Sequence, residues 1–208
     1  MRLSHNPPQL VVSALSAARG ERLLFSDLSF TLRGGEALQI EGANGSGKTT
    51  LLRILCDLHT PLTGTVRWRG EAIARSSSER LYIGHRTALK GELTVWENLR
   101  IAAHLGGERS ASALLRRALR LVGLDHYEDR HCNELSQGEQ RRVGLARLFY
   151  SCAPLWILDE PFTALDSAAI AALQCRLGEH LRSGGLVILT SHQAVELSDY
   201  APSRLYLG

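Results

Sequence analysis

Two short stretches of this chain carry groups suited to handling phosphate. Gly42-Ala43-Asn44-Gly45-Ser46-Gly47-Lys48-Thr49 fits the pattern GxxxxGK[ST]. The apolar residues before it read as a strand over 37–40 and those after it as a helix over 49–55, the context that pattern requires. Its glycines let the backbone turn tightly and aim N–H groups at phosphate oxygens, and the start of a helix adds a favourable dipole. Lys48 can reach the β- and γ-phosphates of a nucleotide, the Thr49 hydroxyl can ligate Mg²⁺, and Thr50 follows in the first helical turn. The second stretch is Leu155-Trp156-Ile157-Leu158-Asp159-Glu160, an apolar strand running into two carboxylates. Asp159 would hold Mg²⁺, directly or through water. Glu160 would polarise the attacking water as general base. Paired acids at a strand end can be no more than a solubilising terminus, and the phosphate loop upstream makes that the weaker reading. Together the two stretches predict hydrolysis of a nucleoside triphosphate.

Such groups need a framework. Residues 10–16 and 28–32 read as strands around the polar turn Arg19-Gly20-Glu21-Arg22, and 65–69 as another strand after Pro61-Leu62-Thr63-Gly64. From 94 to 149 the pattern is helical. Over 112–122, Leu114, Leu115, Ala118, Leu121 and Val122 recur at helical spacing, with Arg116, Arg117 and Arg120 on the solvated side. Strands return at Leu155–Leu158 and Leu186–Thr190 with a helix between them. Strand–helix alternation predicts an α/β fold with a mainly parallel sheet and an antiparallel N-terminal edge. The helical block over about 86–135 interrupts that alternation and reads as a subdomain inserted into a single domain spanning 1–208, with 1–9 as a loose tail.

Composition narrows the setting. The chain has 208 residues, 44% hydrophobic and 22% charged, enough for one domain with a good core. A net charge of +3 gives no ground for a nucleic-acid partner. The longest apolar runs are strand-length, far below the ~20 residues of a membrane span. The opening residues carry no apolar stretch resembling a secretory signal. The expectation is a cytoplasmic protein that reaches a membrane only through a partner. Cys56, Cys132, Cys152 and Cys175 have no CxxC spacing and read as thiols used in packing. His131-Cys132 resembles a metal or haem ligand pair, but no further ligands flank it.

A third motif selects the kind of nucleotidase. In Leu135-Ser136-Gln137-Gly138-Glu139-Gln140-Arg141-Arg142-Val143 a serine and a glycine open a helix, which makes either a second anion site or a helix N-cap and nothing more. The stretch resembles the LSGGQ signature of ABC transporter ATPases, with Gln137 in place of a glycine and Glu139 in place of the glutamine. That resemblance implies that Ser136, Gln137, Gly138 and Glu139 act on the ATP held by a second copy of the chain. It also implies that Asp166 belongs to a loop linking the two ATP sites. His192, in Thr190-Ser191-His192, would be a switch residue on the γ-phosphate. Two positions depart from the family. His85 stands where a glutamine usually senses Mg²⁺ and water, so it either ligates through a neutral imidazole or merely packs. Near residue 19 the family has an aromatic on adenine. Here Arg19 can stack through its guanidinium, unless the loop is shifted.

The stretch Gly84-His85 to Leu89-Lys90-Gly91-Glu92-Leu93-Thr94, together with Pro161-Phe162-Thr163-Ala164-Leu165-Asp166 and Leu189-Thr190-Ser191-His192-Gln193, is similar to the CcmA family, the ATPase of the bacterial cytochrome c maturation haem exporter. The resemblance implies ATP and Mg²⁺ as ligands, a second copy and integral membrane subunits of a haem exporter as partners, and a peripheral place on the cytoplasmic face of the inner membrane. Another cargo, a non-transport ABC protein and a P-loop kinase are the rival readings.

Overall fold

A computed structural model of the chain describes residues 9–108, 112–191, 195, 197 and 200–208. The expected N-terminal tail lies outside the described residues except for Gln9. That residue already pairs with Arg33 and belongs to the first strand rather than to a tail.

Nine strands in two sheets frame the described residues. Strands β1 (Gln9–Arg19), β2 (Arg22–Arg33), β4 (Thr63–Trp68) and the short β5 (Glu71–Ala72) form an antiparallel sheet in the order β2-β1-β4-β5. The antiparallel strands read from the sequence thus make a sheet of their own. In β1 the inward residues are Leu10 and Val12, then Leu15 and Ala17. Between Val12 and Leu15 the register shifts, and Ala14 takes a φ of 48°. The bulge restores the apolar face after one slipped residue. Gly64 packs directly on the Ala14 carbonyl, leaving no room for a side chain.

Strands β3 (Ala37–Gly42), β6 (Arg80–Ile83), β7 (Leu155–Leu158), β8 (Leu186–Thr190) and β9 (Ser203–Leu207) form a wholly parallel sheet in the order β6-β7-β8-β3-β9. Every residue of β7 and β8 is buried, as expected when helices or a second sheet cover both faces. Helix α1 (Lys48–Leu55) and the antiparallel sheet cover one face, where Leu51, Leu52 and Leu55 share a core with Ile40, Ile157 and Ile188. Helix α5 (Ser167–Arg182) covers the other, setting Leu173, Leu177 and Leu181 against Trp156, Leu158 and Leu189. The edge strands β6 and β9 were not among the strands read from the sequence.

The helical pattern over 94–149 resolves into α2 (Val95–Leu105), α3 (Ser112–Leu121) and α4 (Gln137–Leu145). It is not continuous. After α3 the chain turns at Gly123 and His126, both at positive φ, and only a 3-10 turn, Cys132–Glu134, precedes α4. A third core, which includes Val95, Leu99, Leu115, Leu119, Val143 and Tyr150, joins these helices. On α3, Leu115, Ala118, Leu119 and Val122 face inward, whereas Leu114 and Leu121 are exposed, so the buried stripe sits one step round from the one expected. Arg116, Arg117 and Arg120 are exposed as read.

All four cysteines are free thiols, but only Cys56 and Cys132 are buried. Cys152 and Cys175 are exposed, so the packing role expected for all four fails for that pair. The Cys132 sulfur accepts from the Asn98 side-chain amide at 3.2 Å, and the His131 ring lies 3.0 Å from the Glu92 carbonyl. Among the described residues no helix is long and apolar enough to cross a membrane.

Candidate nucleotide-binding site

The phosphate loop leaves β3 and enters α1 through two glycines that no other residue could replace without strain. Gly42 has a φ of 146° and packs on the Leu207 carbonyl of β9. Gly47 has a φ of 102°, and a Cβ there would lie 3.0 Å from Leu24 Cβ and 3.2 Å from the Phe25 ring. Gly47 is the N-cap of α1. It offers no side-chain cap, and the first turn carries no acid, so the leading N–H groups are left for a ligand. The Ser46 hydroxyl is buried without a hydrogen-bond partner among the described residues. An incoming phosphate oxygen would satisfy it. Lys48 is buried, and its Nζ donates to the carbonyls of Gly42 at 2.6 Å and Ala43 at 3.0 Å, which holds the ammonium over the loop.

The acids close β7. Asp159 is 2% exposed, and its two oxygens accept from Thr49 Oγ1 at 3.0 Å and from Thr190 Oγ1 at 2.9 Å. Thr190 Oγ1 in turn accepts from the Glu160 N–H at 2.8 Å. Glu160 has a φ of 52°, uncommon for a residue with a side chain, and Thr163 Oγ1 donates to its Oε2 at 3.3 Å. Arg19, Asn44, Gly45, Gly47, Lys48, Thr49, Thr50, Asp159 and Glu160 line one cleft of about 270 Å³. Gly42, Ala43 and Ser46 form the rest of the loop. Thr49 and Asp159 converge as two hard oxygen donors. That fits Mg²⁺, which keeps several waters and takes its remaining ligands from substrate phosphates.

Other residues singled out from the sequence lie elsewhere. None of Ser136, Gln137, Gly138 and Glu139 lines this cleft. Ser136 N-caps α4 in a capping box with Glu139. Glu139 N–H donates to Ser136 Oγ at 3.3 Å, while the Ser136 N–H and hydroxyl each donate to Glu139 Oε2 at 2.7 Å. These bonds and a donation from the Tyr127 hydroxyl (2.9 Å) hold the Glu139 carboxyl down at about 2. Gly138 faces the Ala164 carbonyl, and a Cβ there would lie at 3.1 Å. Asp166 caps α5 by accepting from Ala169 N–H at 2.8 Å, and it lies 3.8 Å from Arg142. His85 is exposed and lines a separate hollow of about 490 Å³ with Gln137, Gln140, Thr163 and Ala164, so the structure does not bring it to Thr49 and Asp159. His192 lies outside the described residues.

Three participants were missed. Leu24 lines the cleft beside Arg19. Thr190 couples the two acids, and a polar residue closing an otherwise apolar strand was the available signal. Arg141, 5% exposed, donates from Nη2 to the carbonyls of Asp159 at 2.6 Å and Glu160 at 2.8 Å, and nothing in the sequence sets it apart from Arg142 beside it.

A phosphate loop leaving β3, acids closing β7 on the far side of β8 and a capped signature helix outside the cleft define an ABC-type ATPase, an enzyme that couples ATP hydrolysis to transport. The family model described as "ABC transporter" matches residues 25–163. The chain is 47% identical over 194 residues to the cytochrome c biogenesis ATP-binding export protein CcmA of Mannheimia succiniciproducens, covering 91% of this chain and 90% of that protein. Against the CcmA of Vibrio vulnificus (strain YJ016) the identity is 47% over 203 residues, covering 96% and 99%. Among solved structures, a putative ABC transporter ATP-binding protein from Pyrococcus furiosus superposes with a TM-score of 0.83 at 27% identity, covering 96% of this chain and 97% of the other. The chain belongs to the CcmA family of ABC transporter ATP-binding proteins.

Proposed function

We propose that two copies of this chain bind MgATP head to tail and that hydrolysis drives the export step of cytochrome c biogenesis, with haem or its handling machinery as cargo. The observation that carries this reading is the hydrogen-bonded run Thr49–Asp159–Thr190–Glu160 at the mouth of the phosphate loop. It fixes a metal-binding pair and a candidate base relative to one another. The loop N–H groups and Lys48 hold the β- and γ-phosphates, and Arg19 stacks its guanidinium on adenine. Thr49 and Asp159 would hold Mg²⁺, which would supply positive charge to offset that on the transferring group. Glu160 takes the proton of the attacking water, while Lys48 and His192 stabilise the charge that develops.

Ser136, Gln137, Gly138 and Glu139 stand away from their own cleft, which supports their acting on the partner's ATP. Asp166 then lies on the loop between the two sites. His85 would join the metal only after its loop moves, and its hollow is where such a movement would be felt. The helical block over 86–135 is the lever that meets an integral membrane subunit, placing the chain peripherally on the cytoplasmic face of the inner membrane.

Glu160→Gln tests the sandwich. Bound ATP should persist, hydrolysis should fall at least ~100-fold, and sedimentation with MgATP should show a dimer. A strictly monomeric Glu160→Gln protein saturated with ATP would overturn the head-to-tail arrangement. Deletion of the chain should abolish mature c-type cytochromes. Normal levels would remove the cargo and leave the ATPase intact.

A further inference from the structure

We propose that Arg141 is a positioning residue that ties the signature helix α4 to the backbone of Glu160, so that the two move as one body. This rests on the reading of Glu160 as the base. Arg141 sits a little over one turn into α4, and its guanidinium is buried between two loops. Nη1 donates to the carbonyls of Gly84 at 2.7 Å and His85 at 3.4 Å, on the segment that leaves edge strand β6 for the helical layer. Nη2 donates to the carbonyls of Asp159 and Glu160. One planar fork therefore joins three elements: the helix whose N-terminus would meet the partner's ATP, the His85 loop, and the acid end of β7.

Arginine is suited to this place, because two nitrogens with fixed divergence can serve two carbonyl pairs while a lysine ammonium can serve one. Burial pulls the Arg141 pKa down, and the nearby charges of Asp159 and Glu160 offset only part of that pull. The Glu160 backbone needs such support. Its positive φ is held from one side by Thr190 on its N–H and from the other by Arg141 on its carbonyl. Strained backbone persists where its surroundings over-determine it. When a partner's nucleotide draws in the start of α4, the shift passes through the guanidinium to Glu160 and to the His85 loop together.

The test measures the single-turnover rate of ATP cleavage and nucleotide affinity on the full chain, for Arg141→Gln, Arg141→Lys and Glu160→Gln, with thermal melting as the check of folding. Misplacing a catalytic group by about an ångström costs on the order of 100-fold. Arg141→Gln should therefore cleave bound ATP roughly 10- to 100-fold more slowly, with ATP affinity within about threefold of wild type, and Arg141→Lys should fall between. Should Arg141→Gln fail to fold, Arg141→Lys decides. A cleavage rate within twofold of wild type in a folded variant overturns the proposal, as does a loss confined to affinity. If Glu160→Gln itself still hydrolyses ATP, the reading of the base has failed. If it does not while Arg141→Lys is unaffected, the coupling alone has failed.

Discussion

The chain contains two helix N-termini suited to anions, and they are finished in opposite ways. Helix α1 begins at Gly47 with no side-chain cap and no acid in its first turn. Helix α4 begins at Ser136 with a capping box, and the carboxylate of Glu139 already sits on the Ser136 N–H and hydroxyl. The first terminus is left with unsatisfied donors, together with an orphaned Ser46 hydroxyl and a lysine held in place by carbonyls. No side chain of the chain itself occupies it. The second is satisfied by its own chain. In the proposed head-to-tail dimer a partner's γ-phosphate would have to compete there with Glu139 for the Ser136 hydroxyl. One terminus stands open to an anion in the lone subunit. The other is occupied by its own carboxylate, which in the proposed dimer would oppose closure until both copies are loaded.

The comparison breaks most visibly at α1. Gly47→Ala places a Cβ 3.0 Å from Leu24 and imposes a φ of 102° on a residue that disfavours it. Such backbone strain costs about 1–3 kcal/mol, and the loop relieves it by withdrawing the N–H groups that face phosphate. ATP affinity of the isolated chain should drop at least ~10-fold, measured by titration with a fluorescent nucleotide. An unchanged affinity would mean that the open N-terminus is not the phosphate site.

How legible these two termini were in the sequence follows from what each demands of it. The phosphate loop needs glycine at positive φ and a lysine at a fixed offset, so its residue types spell it out. Strands β7 and β8 were legible to the residue, because full burial forces unbroken apolar runs. Strands β6 and β9 were not. Each is a short edge strand with exposed or half-buried positions, and each is ordered by a neighbour distant in the chain. The capping box at Ser136 was visible as a serine followed three residues later by an acid. That the acid also takes a bond from Tyr127 was not, since the contact crosses a turn whose shape is set by tertiary packing. Arg141 and Thr190 escaped for a related reason: most of their partners are backbone groups of residues far away in sequence, and a carbonyl leaves no trace in residue identity.

A smaller effect is expected at the other terminus. Ser136→Ala removes the cap of α4, worth ~1 kcal/mol of stability, and should lower the melting temperature by a few degrees. It leaves the cleft around Lys48 untouched. ATP affinity of the monomer should therefore stay within about twofold of wild type, while ATP-dependent dimer formation weakens in the Glu160→Gln background. Equal loss of monomer affinity and dimerisation would place Ser136 at its own chain's ATP and collapse the distinction between the two helices.

The smallest and most discriminating effect belongs to Glu139. A carboxylate at a helix N-terminus stabilises that helix by about 0.3–1 kcal/mol, yet the same charge repels an arriving γ-phosphate. Glu139→Gln keeps a side-chain oxygen for the Ser136 donors and removes the charge. The two consequences therefore have opposite signs: the domain should melt slightly earlier, and the MgATP dimer of the Glu160→Gln protein should bind about two- to fivefold tighter, a difference that shrinks as salt rises. The pH dependence supplies the control. Hydrogen bonds from the Ser136 side chain and backbone, then from Tyr127, hold the Glu139 carboxyl at about 2, below its ordinary 4.5. A depressed acid contributes its stabilisation fully above the unfolded value and loses it as pH falls from about 4.5 towards about 2. Across about pH 6 to 8 Glu139 stays ionised, so the gain in dimer affinity from Glu139→Gln should be the same at both ends of that range. Analytical ultracentrifugation at the two pH values, each at low and high salt, measures it. A dimer weakened by the substitution at both pH values would show that the carboxylate at α4 assists closure instead of opposing it.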